Sequence, residues 1–127
     1  MKKFLLIAFL FIASQETLAA GGAACGDYGE CDSFSPELNN LESLQLGALT
    51  FINHCYGCHS LKYSRWGRVA QDLEIPEGIF TDNLVFGSNV KLGDRMTGSM
   101  NSEVSEAWFG IAPPDLTLVT RLHGSDW

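Results

Sequence analysis

Two cysteines three positions apart, with a histidine directly after the second, stand at Cys55-Tyr56-Gly57-Cys58-His59. Thiols at this spacing can reach the two vinyl groups on one edge of a porphyrin. The next imidazole then lies under the ring plane, where a nitrogen can ligate iron. The pattern is read as a covalent attachment site for c-type haem. The same C-x-x-C spacing also serves a redox dithiol or one half of a zinc site. A zinc site wants a second ligand pair at a comparable spacing, and none follows. A thioredoxin-like dithiol expects a strand before the motif and a βαβ pattern, and both are missing. The adjacent His59 and an exported context favour haem.

That context comes from the N-terminus. Met1-Lys2-Lys3 precede an almost purely apolar run from Phe4 to Ala13, and small residues stand at Thr17 and Ala19. This is the charged, hydrophobic and cleavable order of a secretory signal peptide over residues 1–19, with Ala20 nearly as good a cleavage point as Ala19. The apolar run is shorter than the roughly 20 residues that span a bilayer. Lipoprotein processing at Cys25 is the alternative, although Gly22 stands where a larger aliphatic is usual. Export permits disulfides. Cys25 and Cys31 can close a small loop with glycines to turn it, or remain two thiols. The net charge is −7, and loss of Lys2, Lys3 and Glu16 with the leader makes it one unit more acidic. Such a balance argues against nucleic-acid binding and for a cationic partner steered electrostatically.

Residues 20–127 suit one small domain, in which a large apolar cofactor would supply much of the core. Residues 20–40, rich in Gly, Ala, Asp and Ser, read as an irregular arm ahead of a domain over 41–127. Asn39 or Asn40 can cap a helix with Glu42 in its first turn. Leu41, Leu44, Ala48, Phe51 and Cys55 then recur at spacings of three and four, one stripe leading into the haem motif. Gly47 beside that stripe would let a second helix approach closely. Ser60 to Trp66 shows no firm structure, and its basic residues sit beside haem propionates or an acidic partner, or are simply solvated. Pro76 opens a short helix through Leu84. Asn101 or Ser102 caps another, carrying Glu103 and Glu106 and ended by Gly110. After Pro113-Pro114-Asp115, the stripe Leu116, Val119 and Leu122 runs to Gly124. No convincing strand or repeat is present, so the class is mostly α with long connections.

Four blocks go beyond a generic haem motif: Ser43-Leu44-Gln45-Leu46-Gly47-Ala48, Cys55 to Tyr63, Gly93-Asp94-Arg95-Met96-Thr97, and Trp108-Phe109-Gly110-Ile111-Ala112-Pro113-Pro114-Asp115-Leu116. Together, from about Asn40 to Trp127, they resemble cytochrome c1, the c-type haem subunit of quinol–cytochrome c oxidoreductase. The resemblance implies a cytochrome c-like fold with long loops wrapped round one covalent haem c. It implies an electron carrier that is not an enzyme on its own, working in the cytochrome bc1 complex of the respiratory chain. Electrons would arrive from a Rieske iron–sulfur protein and leave to a cytochrome c. Cytochrome b would be a further partner, and the site the periplasmic face of the bacterial inner membrane. Cys55 and Cys58 become the thioether positions and His59 the proximal iron ligand. Pro114 matches a proline packed near the haem. Arg121 matches an arginine beside a propionate, where guanidinium suits carboxylate; its other reading is a solvated helix residue.

The Cys25/Cys31 arm has no counterpart in the family pattern. By the resemblance, the distal methionine and a C-terminal membrane helix lie beyond Trp127, so the chain is expected to be incomplete there. Among its own residues, Met96 and Met100 are the methionines left after export, and neither matches the distal ligand. His54 precedes the motif on its helix and points away, leaving His123 as the remaining imidazole. The alternatives are a stand-alone periplasmic monohaem cytochrome and a haem sensor or peroxidase-like protein with an open distal site.

Overall fold

A computed structural model describes residues 32–127; the expected signal peptide and the Cys25/Cys31 pair lie outside the described residues. Helix α1 spans Leu41–His54, and Asn40 caps it: its side-chain oxygen accepts the Ser43 amide at 3.1 Å. Glu42 in the first turn complements the helix dipole. Leu41, Leu44, Ala48, Phe51 and Cys55 are all half-buried, as their spacing requires. The fully buried residue of α1 is Ile52, which continues that face four positions after Ala48.

The chain then forms strand β1 (Leu61–Arg65), α2 (Trp66–Asp72), α3 (Glu77–Leu84), strand β2 (Arg95–Met96), α4 (Ser102–Phe109) and α5 (Val119–His123). Pro76 stands at the N-cap of α3. Asn101 caps α4 by accepting the Glu103 amide at 2.8 Å, and Gly110 ends it in the left-handed region at φ 78°. Segments 85–94 and 110–118 carry no helix and no strand. Five helices and a two-stranded sheet make the described residues mixed and mainly helical, compatible with a cytochrome c-like fold.

The sheet corrects the expectation of no strands, and with α2 it corrects the reading of residues 60–66 as unstructured. β1 and β2 pair antiparallel, Leu61 facing Met96 and Arg65 facing Arg95, with an irregular register between. β1 buries no clean alternate row of side chains, so no period-2 signal marks it. It is a strand because a distant segment supplies its hydrogen-bond partners. Gly47 also differs from expectation. It is exposed, with nothing within 4 Å of where a Cβ would stand, so no helix among the described residues packs against it.

The core is one cluster of Ile52, Trp66, Ala70, Phe80, Leu84 and Met96, with Phe51, Tyr56 and Leu61 packed on its edge. Its centre is aromatic. Tyr56 meets Trp66 edge-on at 5.0 Å between centroids and 74°, and Trp66 meets Phe80 at 6.3 Å and 64°, both favoured ring geometries. Tyr56 belongs to the C-x-x-C-H loop, so the motif is anchored directly in the core. Met96, 1% exposed, is a packing residue.

Candidate haem site

The motif forms at the C-terminal end of α1. The Cys55 and Tyr56 amides both donate to the Phe51 carbonyl, at 2.8 and 2.9 Å, which widens the last turn. The Cys58 and His59 amides then donate to the Cys55 carbonyl at 3.1 and 2.9 Å. One compact turn therefore carries both sulfurs and the imidazole. Cys55 is half-buried, Cys58 is exposed, and neither is in a disulfide.

A segment more than fifty residues away lines up beside this turn. His59 Nδ1 lies 2.8 Å from the Pro114 carbonyl oxygen. A carbonyl only accepts, so Nδ1 carries the proton, and in the neutral ring Nε2 keeps its lone pair for a metal. This is the usual outer partner of a metal-ligating histidine. Along the same seam the Leu116 amide donates to the Ser60 carbonyl at 3.0 Å. Asp115 accepts the Lys62 amide at 2.8 Å and the Thr117 amide at 3.1 Å. Burial alone would raise the Asp115 carboxyl. Hydrogen bonds from the Thr117 side chain and from the Lys62 and Thr117 amides, with the Lys62 charge, hold it below the usual carboxylate value.

Beyond this seam opens a cavity of about 750 Å³ lined by residues that include Tyr63, Pro114, Leu118, Arg121, His123 and Trp127. His123 and Trp127 stack there at 4.8 Å and 22°. Pro114 and Arg121 thus share one wall system, and Pro114 also reaches His59. A second hollow of about 240 Å³ lies beside Cys58, with Met100, Ala112 and Pro113 among its lining residues. Met100 therefore sits next to the segment that holds His59.

The donor set fits a porphyrin better than a bare ion. No three His, Cys, Asp or Glu side chains among the described residues converge well enough to hold a metal, and zinc needs such convergence. A porphyrin does not, because the thiols take its edge and the imidazole its centre. Sequence reasoning missed Ser60, Thr97, Gly98 and Asp115, which brace the loop, and Tyr63 and Trp127, which line the cavity. Ser60, Tyr63, Thr97 and Asp115 stand inside the blocks that resemble cytochrome c1, but no local period marks any of the six as a site residue.

No family model matches the chain. Over all 127 of its residues, however, it is 46% identical to cytochrome c1 of Allochromatium vinosum. This chain is similar to cytochrome c1. It is also 33% identical, over 130 aligned positions, to the ammonia monooxygenase gamma subunit of Nitrosomonas europaea. It spans about half the length of each of these curated relatives. Among the described residues no helix is long and apolar enough to cross a membrane.

Proposed function

We propose that this chain carries one covalent haem c and passes single electrons as the cytochrome c1 subunit of a quinol–cytochrome c oxidoreductase. The observation that carries the reading is the His59–Pro114 hydrogen bond, which leaves Nε2 free on the turn that also presents both thiols. Cys55 and Cys58 would hold the group through thioethers, and His59 would be the proximal ligand. Pro114 orients the imidazole, and Arg121, on the cavity wall, suits a propionate. When bound, the haem supplies a reversible one-electron couple. The chain sets its orientation, its exposure and its docking surface.

In this reading a Rieske iron–sulfur protein delivers the electron and a cytochrome c removes it, with cytochrome b in the same complex. The acidic net charge of −7 suits a basic acceptor. Residues 1–19 act as an export signal, and the domain works on the periplasmic face of the inner membrane. The similarity to cytochrome c1 does not favour the stand-alone cytochrome or the open-site sensor.

The test is a pyridine haemochrome spectrum of the chain exported in a host that attaches haem. The expected result is a two-thioether signal. Cys55→Ala and Cys58→Ala should each move the band toward a one-thioether value, and the double variant should lose haem under denaturing conditions. A wild-type chain without covalent haem refutes the reading.

A further inference from the structure

Three consecutive residues, Thr97, Gly98 and Ser99, lie across the haem loop, and each is hydrogen-bonded to it. The Tyr56 hydroxyl donates to the Thr97 carbonyl. The Gly98 amide donates to the Ser60 hydroxyl at 2.8 Å, and the Ser99 hydroxyl donates to the Gly57 carbonyl at 3.3 Å. The approach requires glycine. A Cβ on Gly98 would stand 2.9 Å from the Tyr56 carbonyl oxygen, 3.3 Å from Ser60 Oγ and 3.4 Å from the His59 carbonyl carbon. The closest of these atoms is backbone, so no rotamer change relieves the clash.

Ser60 also serves a second segment, because its carbonyl accepts the Leu116 amide at 3.0 Å. The residue after His59 therefore ties the main chain of the loop both to the 97–99 strap and to the segment whose Pro114 carbonyl holds the His59 ring. Its hydroxyl is the acceptor for a half-buried amide, which an alanine would leave unpaired.

We propose that Ser60 is a positioning residue for the haem: its hydroxyl latches the 97–99 strap onto the loop and so holds the His59 imidazole plane in one orientation. The proposal deepens the haem reading and rests on it. Outer-shell hydrogen bonds and solvent access both set a haem's potential, so loosening the latch alters the electron-transfer properties as well as the fold.

The experiment uses the full chain exported in a host that attaches haem, as wild type, Ser60→Ala, Ser60→Thr and Gly98→Ala. The wild-type pyridine haemochrome spectrum is read first, and a chain without thioether haem overturns the haem reading and this proposal together. With haem present, Ser60→Ala should reorder the paramagnetically shifted haem methyl resonances of the ferric form, which report the imidazole plane. It should also lower the midpoint potential and speed exchange of the Gly98 amide by roughly fivefold, the loss of one hydrogen bond. Ser60→Thr keeps a hydroxyl and should restore both the methyl pattern and the potential. Gly98→Ala should change both in the same direction and attach severalfold less haem per chain. Wild-type methyl order and potential in Ser60→Ala overturn the proposal whatever its stability. If that variant does not fold, the same result in Gly98→Ala overturns it.

Discussion

The Nδ1–H of His59 donates to the Pro114 carbonyl at 2.8 Å, across 55 positions of sequence. The acceptor is a backbone oxygen, so the tautomer is set by the fold and not by a second titrating side chain. In the haem-free chain, nitrogen-15 NMR of the labelled imidazole at neutral pH should find His59 protonated on Nδ1, the tautomer less favoured in free histidine. Finding the proton on Nε2 would remove the orientation on which the ligand role depends.

Trp66 is fully buried, and its indole Nε1 is the buried side-chain nitrogen without a hydrogen-bond partner among the described residues. Trp66→Ala should lower unfolding stability by about 3–5 kcal/mol, the usual result for a large aromatic in a core. Trp66→Phe removes the unpaired donor along with some volume, and these effects oppose each other. Its urea midpoint should lie much nearer wild type than that of Trp66→Ala. Equal losses in the two variants would mean that the indole N–H has a partner in solution.

Asp115 ionises below its ordinary value of 3.8 in the folded chain. A carboxyl whose folded pKa is depressed contributes stability above its unfolded pKa, and loses that contribution as pH falls through the folded value. Wild-type stability should therefore decline as pH drops below about 4, and Asp115→Asn should flatten that limb while lowering the plateau near neutrality. Thermal melts from pH 2.5 to 7 read both effects. An unchanged acid limb in the variant would assign the decline to other carboxylates.

Met96 packs in the core and Met100 lies beside Cys58 and Pro113. Met96→Leu and Met100→Leu should leave the ferric spectrum of the haem-loaded chain unchanged. Met96→Leu, a volume-conserving change, should lower stability by less than about 1.5 kcal/mol. Loss of a low-spin feature in either variant would identify a methionine ligand.

Helix α4 is bounded by Asn101, which accepts the Glu103 amide, and by Gly110 at φ 78°. Asn101→Ala should lower stability by about 1 kcal/mol through the lost cap. Gly110→Ala should lower it by roughly 1–2 kcal/mol, because a Cβ is disfavoured in the left-handed region. Both are read from urea midpoints. A neutral Gly110→Ala would show that the helix ends differently in solution.

The features legible in the sequence are those set by near neighbours. The C-x-x-C-H spacing, the Asn40 and Asn101 caps, the Pro76 start, the Gly110 stop and the half-buried stripe of α1 each depend on residues within about four positions. Such contacts leave a pattern in composition and period. The tertiary structure alone decided the rest. Leu61 to Arg65 is a strand because Arg95 and Met96 lie beside it. Met96 is core because the fold brings it into one buried cluster with Ile52, Trp66, Ala70, Phe80 and Leu84. Gly98 is required because the strap passes 2.9 Å from the Tyr56 carbonyl, as placed for a Cβ. Pro114 was singled out by resemblance, but what it offers His59 in the fold is its backbone oxygen, which every residue possesses and no sequence pattern marks. A site held by main-chain groups from distant segments becomes visible only once the chain has brought those segments together.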